Sequence, residues 1–225
     1  MPSAWAQIIK QLAAIKAAEE QDLPSARARK QRLGAVAGIL TPVLAFTCIL
    51  LAIASYPSFS WTNNALSDLG VISGVTGPLF NFGLYASGFL GLIFSLLGLF
   101  TYVGKGVIGK VGSLFFAATT VALMAIGVFN ESFSGWHFAF SAAFFVLAPV
   151  SLFIITCAFV LERQTRMAFF TVGIGVIAAL PWILQFAFNY VPSVAIPETV
   201  SGLAVSAWTI ALSYRILKQA KLTIS

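Results

Sequence analysis

Charge is what this chain has least of. Asp, Glu, Lys and Arg make up 9% of its 225 residues, against about 25% in a soluble domain. So few charges cannot coat a surface in water. Lipid must be the solvent for much of the molecule, which excludes an ordinary soluble globular domain. With 59% hydrophobic residues and a mean hydropathy of +0.94, the chain reads as an all-α polytopic membrane protein. The net charge of +6 does not imply nucleic acid, because the basic residues form no patch interleaved with aromatics.

Catalytic signatures are equally scarce. There is one histidine, His137, and no His-Glu-x-x-His spacing, Gly-rich nucleotide loop, Ser–His–Asp arrangement or close cysteine pair. No metal or cofactor is expected. Asp, Glu, Lys, Arg and His are all missing from the middles of the hydrophobic runs, where ion-coupled transporters and proton pumps usually need one.

What is present is a series of hydrophobic runs. Residues 4–20 come first. Trp5, Ile8, Ile9, Leu12 and Ile15 fall on one helical face, with Lys10, Lys16, Glu19 and Glu20 off it and Ser3 placed to cap the start. This face is too narrow to span, and suits an amphipathic helix lying in the headgroup layer with Trp5 as anchor. A partner helix or a frayed tail is the competing reading. Pro24 is expected to end the helix, and a basic linker to residue 32 completes a first unit, 1–32. A six-helix transmembrane domain, 33–225, follows.

The six runs cover about 33–55, 77–103, 111–130, 136–161, 167–190 and 199–217. Each is near or above the roughly 20 residues that cross the hydrocarbon, and in lipid such runs must be helical to satisfy their backbone. The first competes with a signal peptide, since Ala52-Ile53-Ala54 resembles a cleavage site. The run is too long for a signal core and a long segment precedes it. With six spans, all 13 Lys and Arg lie on the side of the N-terminus. The positive-inside bias therefore puts both termini in the cytoplasm of a plasma-membrane protein. Cys48 and Cys157 differ in depth by roughly 15 Å at 1.5 Å per residue. A disulfide needs Cα atoms within about 7 Å, so two free, buried thiols are expected.

In the second run, Gly83, Ser87, Gly91 and Ser95 recur every four residues and make a small-residue seam for a neighbouring helix. Gly34 and Gly38 do the same in the first. Pro42, Pro149 and Pro181 fall inside spans and are expected to bend them.

The densest polar stretch is Ser60-Trp-Thr-Asn-Asn-Ala-Leu-Ser-Asp-Leu-Gly70, on the only long outer connection. Ser60, Thr62 or Asn63 could cap a short helix through Leu69, ended by Gly70. Trp61, Leu66 and Leu69 would face the bundle, and Asn64, Ser67 and Asp68 would share a face. The bland alternative is a lid whose polar groups bond local backbone. Asn63, Asn64, Ser67, Asp68, Asn81, Glu131 and His137 are the candidate lining of an outer polar pocket. Asp68, Glu131 and His137 are expected to converge beneath this stretch, and a carboxylate–His137 pair there could hold a proton or a metal. Glu198 also lies on the outer side, and no base balances these acids. They are either solvated or bind something cationic or rich in hydrogen-bond donors. Asn130-Glu131-Ser132 matches a glycosylation sequon but falls at the membrane edge, and is discounted.

Ser67-Asp68-Leu69-Gly70 after the first span, Gly127-Val-Phe-Asn-Glu131 leading to His137, and Ala142-Ala-Phe-Phe145 resemble a prokaryotic six-span family, domain of unknown function 998. The chain is more distantly similar to the eukaryotic FRAG, DRAM and Sfk group, which shares the polar first outer loop and a His opening the fourth span. The resemblance covers about 33–217 and departs at Asn130, where the family commonly has Pro. It implies no established activity for the prokaryotic members and a link to lipid and membrane homeostasis for the eukaryotic ones. The leading expectation is a non-enzymatic protein that binds a membrane lipid or a partner, as a subunit of a larger assembly or as a homo-oligomer, and no nucleic acid. The alternatives are an outer-leaflet lipid hydrolase or transferase using the carboxylate–His site, and a channel or exporter.

In intact cells, a membrane-impermeant thiol reagent should label Ser58→Cys and Pro192→Cys from outside and leave Gly106→Cys untouched; the reverse pattern would invert the topology.

Overall fold

The computed structural model describes the backbone of residues 4–104 and 106–224, and the side chains of Trp5, Lys10 and residues 25–222 apart from 105. Six helices carry the fold: α1 (Ala4–Ala54), α2 (Thr76–Val103), α3 (Val107–Val128), α4 (Ser134–Leu161), α5 (Thr165–Phe188) and α6 (Ala195–Ile224). All six are long and apolar enough to cross a membrane, as the sequence predicts.

The expected break at Pro24 is absent. α1 is a single helix of 51 residues, about 76 Å long at the α-helical rise. A proline removes one backbone donor and crowds one turn; in a helix this long the flanking bonds carry the chain through. The expected apolar face of Ile8, Ile9, Leu12 and Ile15, like the cap at Ser3, lies outside the described side chains. α4 and α5 likewise run unbroken through Pro149 and Pro181. The irregular backbone is in α2, where a π-helical stretch, Phe94–Leu99, interrupts the α pattern with no proline nearby.

Each helix packs on the next in sequence, and α1 packs on α6, so the six close into a ring. At the end that carries the chain termini, here called inner, the ring is filled by side chains. Phe94, Phe116 and Trp208 meet there at centroid distances of 5.2–6.5 Å, with Leu152, Ile155, Leu212 and Ile216 around them. The Trp208 indole N–H donates to Thr171 Oγ1 at 3.0 Å, which ties α6 to α5. Arg215 donates to the Tyr102 hydroxyl at 2.7 Å and to Gln164 Oε1 at 3.0 Å. Arg27 and Gln31 both donate to the Thr101 carbonyl, one of the acceptors that the end of α2 leaves without an intrahelical donor. At the outer end Leu66 and Leu69 of the α1–α2 connection plug the ring against Ile49, Phe80, Leu84 and Ile126.

Gly83, Ser87, Gly91 and Ser95 are all buried. A Cβ on Gly83 would fall 2.3 Å from Cys48 Cβ on α1, and one on Gly91 2.8 Å from Thr120 Cγ2 on α3. Two other glycines meet the backbone of a neighbouring helix. A Cβ on Gly34 would fall 2.2 Å from the Gly98 backbone nitrogen, and one on Gly88 2.6 Å from the Met124 nitrogen. Gly98 lies in the π-helical stretch, so the widened turn coincides with the α1–α2 crossing. Both cysteines are free. Cys48 is buried as expected, but Cys157 is exposed on the outside of α4, because the burial inference used depth alone and not the face of the helix.

Helix contact makes the glycines unequal. Gly88→Ala, which meets α3 backbone, should destabilise the detergent-solubilised protein by about 1–3 kcal/mol. Gly173→Ala, with no atom within 4 Å, should be neutral or stabilising by about 0.5–1 kcal/mol. Thermal melting of the two variants beside wild type checks both.

Candidate functional site

The α1–α2 connection forms no regular helix from Ser60. Its helical part is one 3-10 turn, Ser67–Val71. Local side chains explain the difference. The Ser60 N–H donates to Asn64 Oδ1 at 2.9 Å, and Asp68 Oδ2 accepts from Asn64 Nδ2 at 2.7 Å and from the Ala65 N–H at 3.0 Å. These short-range bonds compete with the helical ladder for the same backbone groups. Leu66 and Leu69 face the bundle as expected. Trp61 does not; it is exposed and stands edge-on to Phe59 at 5.2 Å. Asn63 is exposed and bonds only Ser60.

Every neighbouring outer element holds this connection down. The Leu66 N–H donates to Glu198 Oε2 in the first turn of α6 at 2.6 Å. Ser67 Oγ donates to Glu131 Oε1 in the α3–α4 turn at 2.8 Å. The Gly70 carbonyl accepts from Asn81 Nδ2 on α2 at 2.8 Å and from Asn130 Nδ2 at 3.3 Å. Two backbone bonds, Ser193 N–H to Thr62 O and Ala195 N–H to Asn64 O, fasten it to the α5–α6 connection at 3.0 and 3.1 Å. Segments inside a membrane protein must find such internal partners because lipid offers none.

Of the predicted pocket residues, Asn64, Ser67, Asp68, Asn81 and Glu131 therefore sit in this network. His137 does not. It is buried, its Nδ1 is 2.8 Å from the Phe129 carbonyl and its Nε2 is 3.4 Å from Ser141 Oγ. No ion pair joins it to Asp68 or Glu131. The expected carboxylate–histidine pair is thus not formed: a carbonyl eight residues back already holds the ring. Among the described residues no group of three or more His, Cys, Asp or Glu is arranged to hold a metal.

Below the plug lies a partly open cavity of about 120 Å³, lined by α1, α2, α3, α4 and α6. Its walls are mainly Phe46, Ile49, Leu84, Phe116, Leu123, Phe144 and Val205. The threonines on the wall turn their hydroxyls into their own helices: Thr41 bonds Ala37 O, Thr119 bonds Phe115 O, Thr120 bonds Ala117 O and Thr209 bonds Val205 O. Their hydroxyls are thereby satisfied, and the wall is more apolar than its composition suggests. From Glu198 at the outer end to Thr209 the cavity follows α6 for about 16 Å. Among the described residues, Glu198 is the one ionisable side chain that lines it. Asp68 and Glu131 lie near enough to repel its charge.

Sequence reasoning left Glu198 at the end of the α5–α6 connection, either solvated or bound to something cationic or rich in hydrogen-bond donors. The signal that places it was present: Pro197-Glu198 marks the first turn of a helix, where proline costs no hydrogen bond and an acid meets the positive end of the dipole. Ser141, which lines the cavity and touches His137, carried no such signal.

A closed ring of six membrane-length helices, plugged at one end and enclosing an apolar cavity, defines an integral membrane protein of helical-bundle type. The chain belongs to the family described as protein of unknown function (DUF998), whose model matches residues 39–215. No curated protein and no solved structure matches it.

Asn64 uses its side chain twice to shape the plug, so Asn64→Ala should cost about 1–3 kcal/mol through two broken bonds. Asn63→Ala, at an exposed position, should stay within about 0.5 kcal/mol of wild type. Denaturation midpoints in one detergent compare them.

Proposed function

We propose that the protein binds a membrane lipid, or another single-chain amphiphile, in the cavity beneath the 60–70 plug. The observation that carries this reading is the cavity's shape and lining. It is long, apolar and capped by polar groups at one end, the distribution a molecule with one hydrocarbon chain and one polar head would match. An apolar cavity of this volume left empty would forgo dispersion contacts on every wall. A chain withdrawn from the surrounding lipid supplies them.

The expected setting is the plasma membrane with both termini in the cytoplasm. The support is the placement of Lys110, Arg163, Arg166, Arg215, Lys218 and Lys221, with the arginines and lysines of residues 27–32, at one end of the ring. The plug and its three acids would then face the outside. The N-terminal stretch, a continuation of α1, would project on the cytoplasmic side, where its alternation of Lys and apolar residues suits a partner helix. A binding role is favoured because the His137 ring is engaged by the Phe129 carbonyl, with no ion pair to a carboxylate among the described residues.

Native mass spectrometry of the protein released from membranes should find about one retained lipid per chain. Gly202 lines the cavity, and an added Cβ there makes only ordinary contact with Phe46 at 3.5 Å. Gly202→Phe should therefore fill the cavity, keep the fold and lose the retained lipid. A wild-type protein that flies without lipid under conditions that preserve other lipid complexes would overturn the reading.

A further inference from the structure

We propose that the head of the bound molecule is a cation, specifically the ammonium of a long-chain amine, and that Glu198 is its counter-ion. The inference rests on the cavity reading above and adds the chemical class of the ligand.

Glu198 Oε2 is committed to the Leu66 N–H at 2.6 Å. That bond fixes the carboxylate at the outer end of the cavity and leaves Oε1 to a ligand. A single neutral donor satisfies only part of a carboxylate's demand, and an incompletely paired acid beside an apolar cavity is costly. The surroundings raise that cost. Asp68 and Glu131 add negative charge within interacting range, while the lysines and arginines gather at the opposite end. Asp68 and Glu131 are themselves engaged, by Asn64 and Ala65 and by Ser67. Among the described residues, the groups that act on Glu198 are the Leu66 amide and the carboxylates of Glu131 and Asp68, with no cation among them.

This electrostatic pattern discriminates between heads. A carboxylate or phosphate head would meet three acids and no base, and is excluded by like-charge repulsion. A neutral hydroxyl head could bond Oε1 but would leave the net negative charge in place. An ammonium head donates up to three bonds and cancels charge, giving the short charge-assisted contact that a desolvated carboxylate favours. The chain would run from Glu198 past Ile49, Leu84 and Val205 toward Thr209. The helix dipole does not weaken this selection, because its positive end offsets only a fraction of one charge.

The test uses three probes with one alkyl chain length and one diazirine near the chain end, differing only in a primary amine, an alcohol or a carboxylate head. The full-length protein is held in phosphatidylcholine nanodiscs, illuminated with each probe, and the labelled peptides are mapped by mass spectrometry. The amine should label α3 and α6 cavity residues at least roughly tenfold more than the carboxylate at equal bilayer loading, the ratio expected of one charge-assisted contact. In Glu198→Gln, whose amide oxygen can still accept the Leu66 N–H, amine labelling should drop to the level of the alcohol. Gly202→Phe should abolish labelling by all three. Equal labelling by amine and alcohol, unchanged in Glu198→Gln, overturns the ammonium assignment and leaves the cavity reading standing. Carboxylate labelling above amine labelling overturns the assignment as well. No cavity labelling by any probe in wild type overturns the cavity reading itself.

Discussion

The constraint that organises this structure is the need of the 60–70 segment for hydrogen-bond partners. A non-helical stretch that closes the end of a membrane bundle cannot leave its amides bare, because each unmet group costs on the order of a few kcal/mol. The answer is distributed. α6 contributes Glu198, the α3–α4 turn contributes Glu131 and Asn130, and α2 contributes Asn81. Because each partner comes from a different element, the plug is also what fixes the outer ends of the helices relative to one another. Leu66 and Leu69 then bury their side chains between those ends, so the same segment is at once a polar knot and a hydrophobic stopper.

At the inner end the division of labour is reversed. Aromatic and branched side chains fill the ring directly, and hydrogen bonding is confined to a few latches such as Arg215 to Tyr102 and Trp208 to Thr171. A six-membered ring of helices has a wider middle than a four-helix bundle, and side chains fill it only where they are large. Phe94, Phe116 and Trp208 suffice for the inner half. Beyond Phe116 the facing residues shrink to Thr119, Thr120, Ala45, Gly202 and Ser206, and the cavity begins. Its position is therefore set by residue size along α3 and α6. The glycine contacts act alongside: close approach of α1, α2 and α3 on one side of the ring keeps that wall tight.

Much of the fold was legible in the sequence because hydrophobic length and backbone satisfaction in lipid leave few alternatives. The six spans were recovered, and their ends differed where polar residues continue a helix past the apolar run, as where α1 begins before residue 33 and α6 continues past residue 217. Pro24 misled because proline was treated as a terminator, whereas the helix runs through the position with one donor lost. The candidate site was legible in its residues and not in its pairings. Asn64, Ser67, Asp68, Asn81 and Glu131 all bear on the plug. His137 was assigned to carboxylates because charge suggested it, yet a carbonyl freed at the end of α3 lay nearer. Such local choices depend on the geometry of turns, which residue spacing does not encode.

The contrast between His137 and Glu198 shows which kind of polar residue carries information at a membrane edge. Both are single ionisable groups near the outer end of a helix. His137 can be wholly satisfied by neutral partners, since a neutral imidazole offers one donor and one acceptor, and Phe129 O and Ser141 Oγ match them. A carboxylate accepts at two oxygens, and Glu198 has one neutral donor and two acidic neighbours. The histidine's environment is therefore closed, while the glutamate, which lines the cavity, has one hydrogen bond for its two oxygens. On the proposed reading, an amphiphile would complete this environment, its chain filling the space between the helices and its head supplying a donor to Glu198.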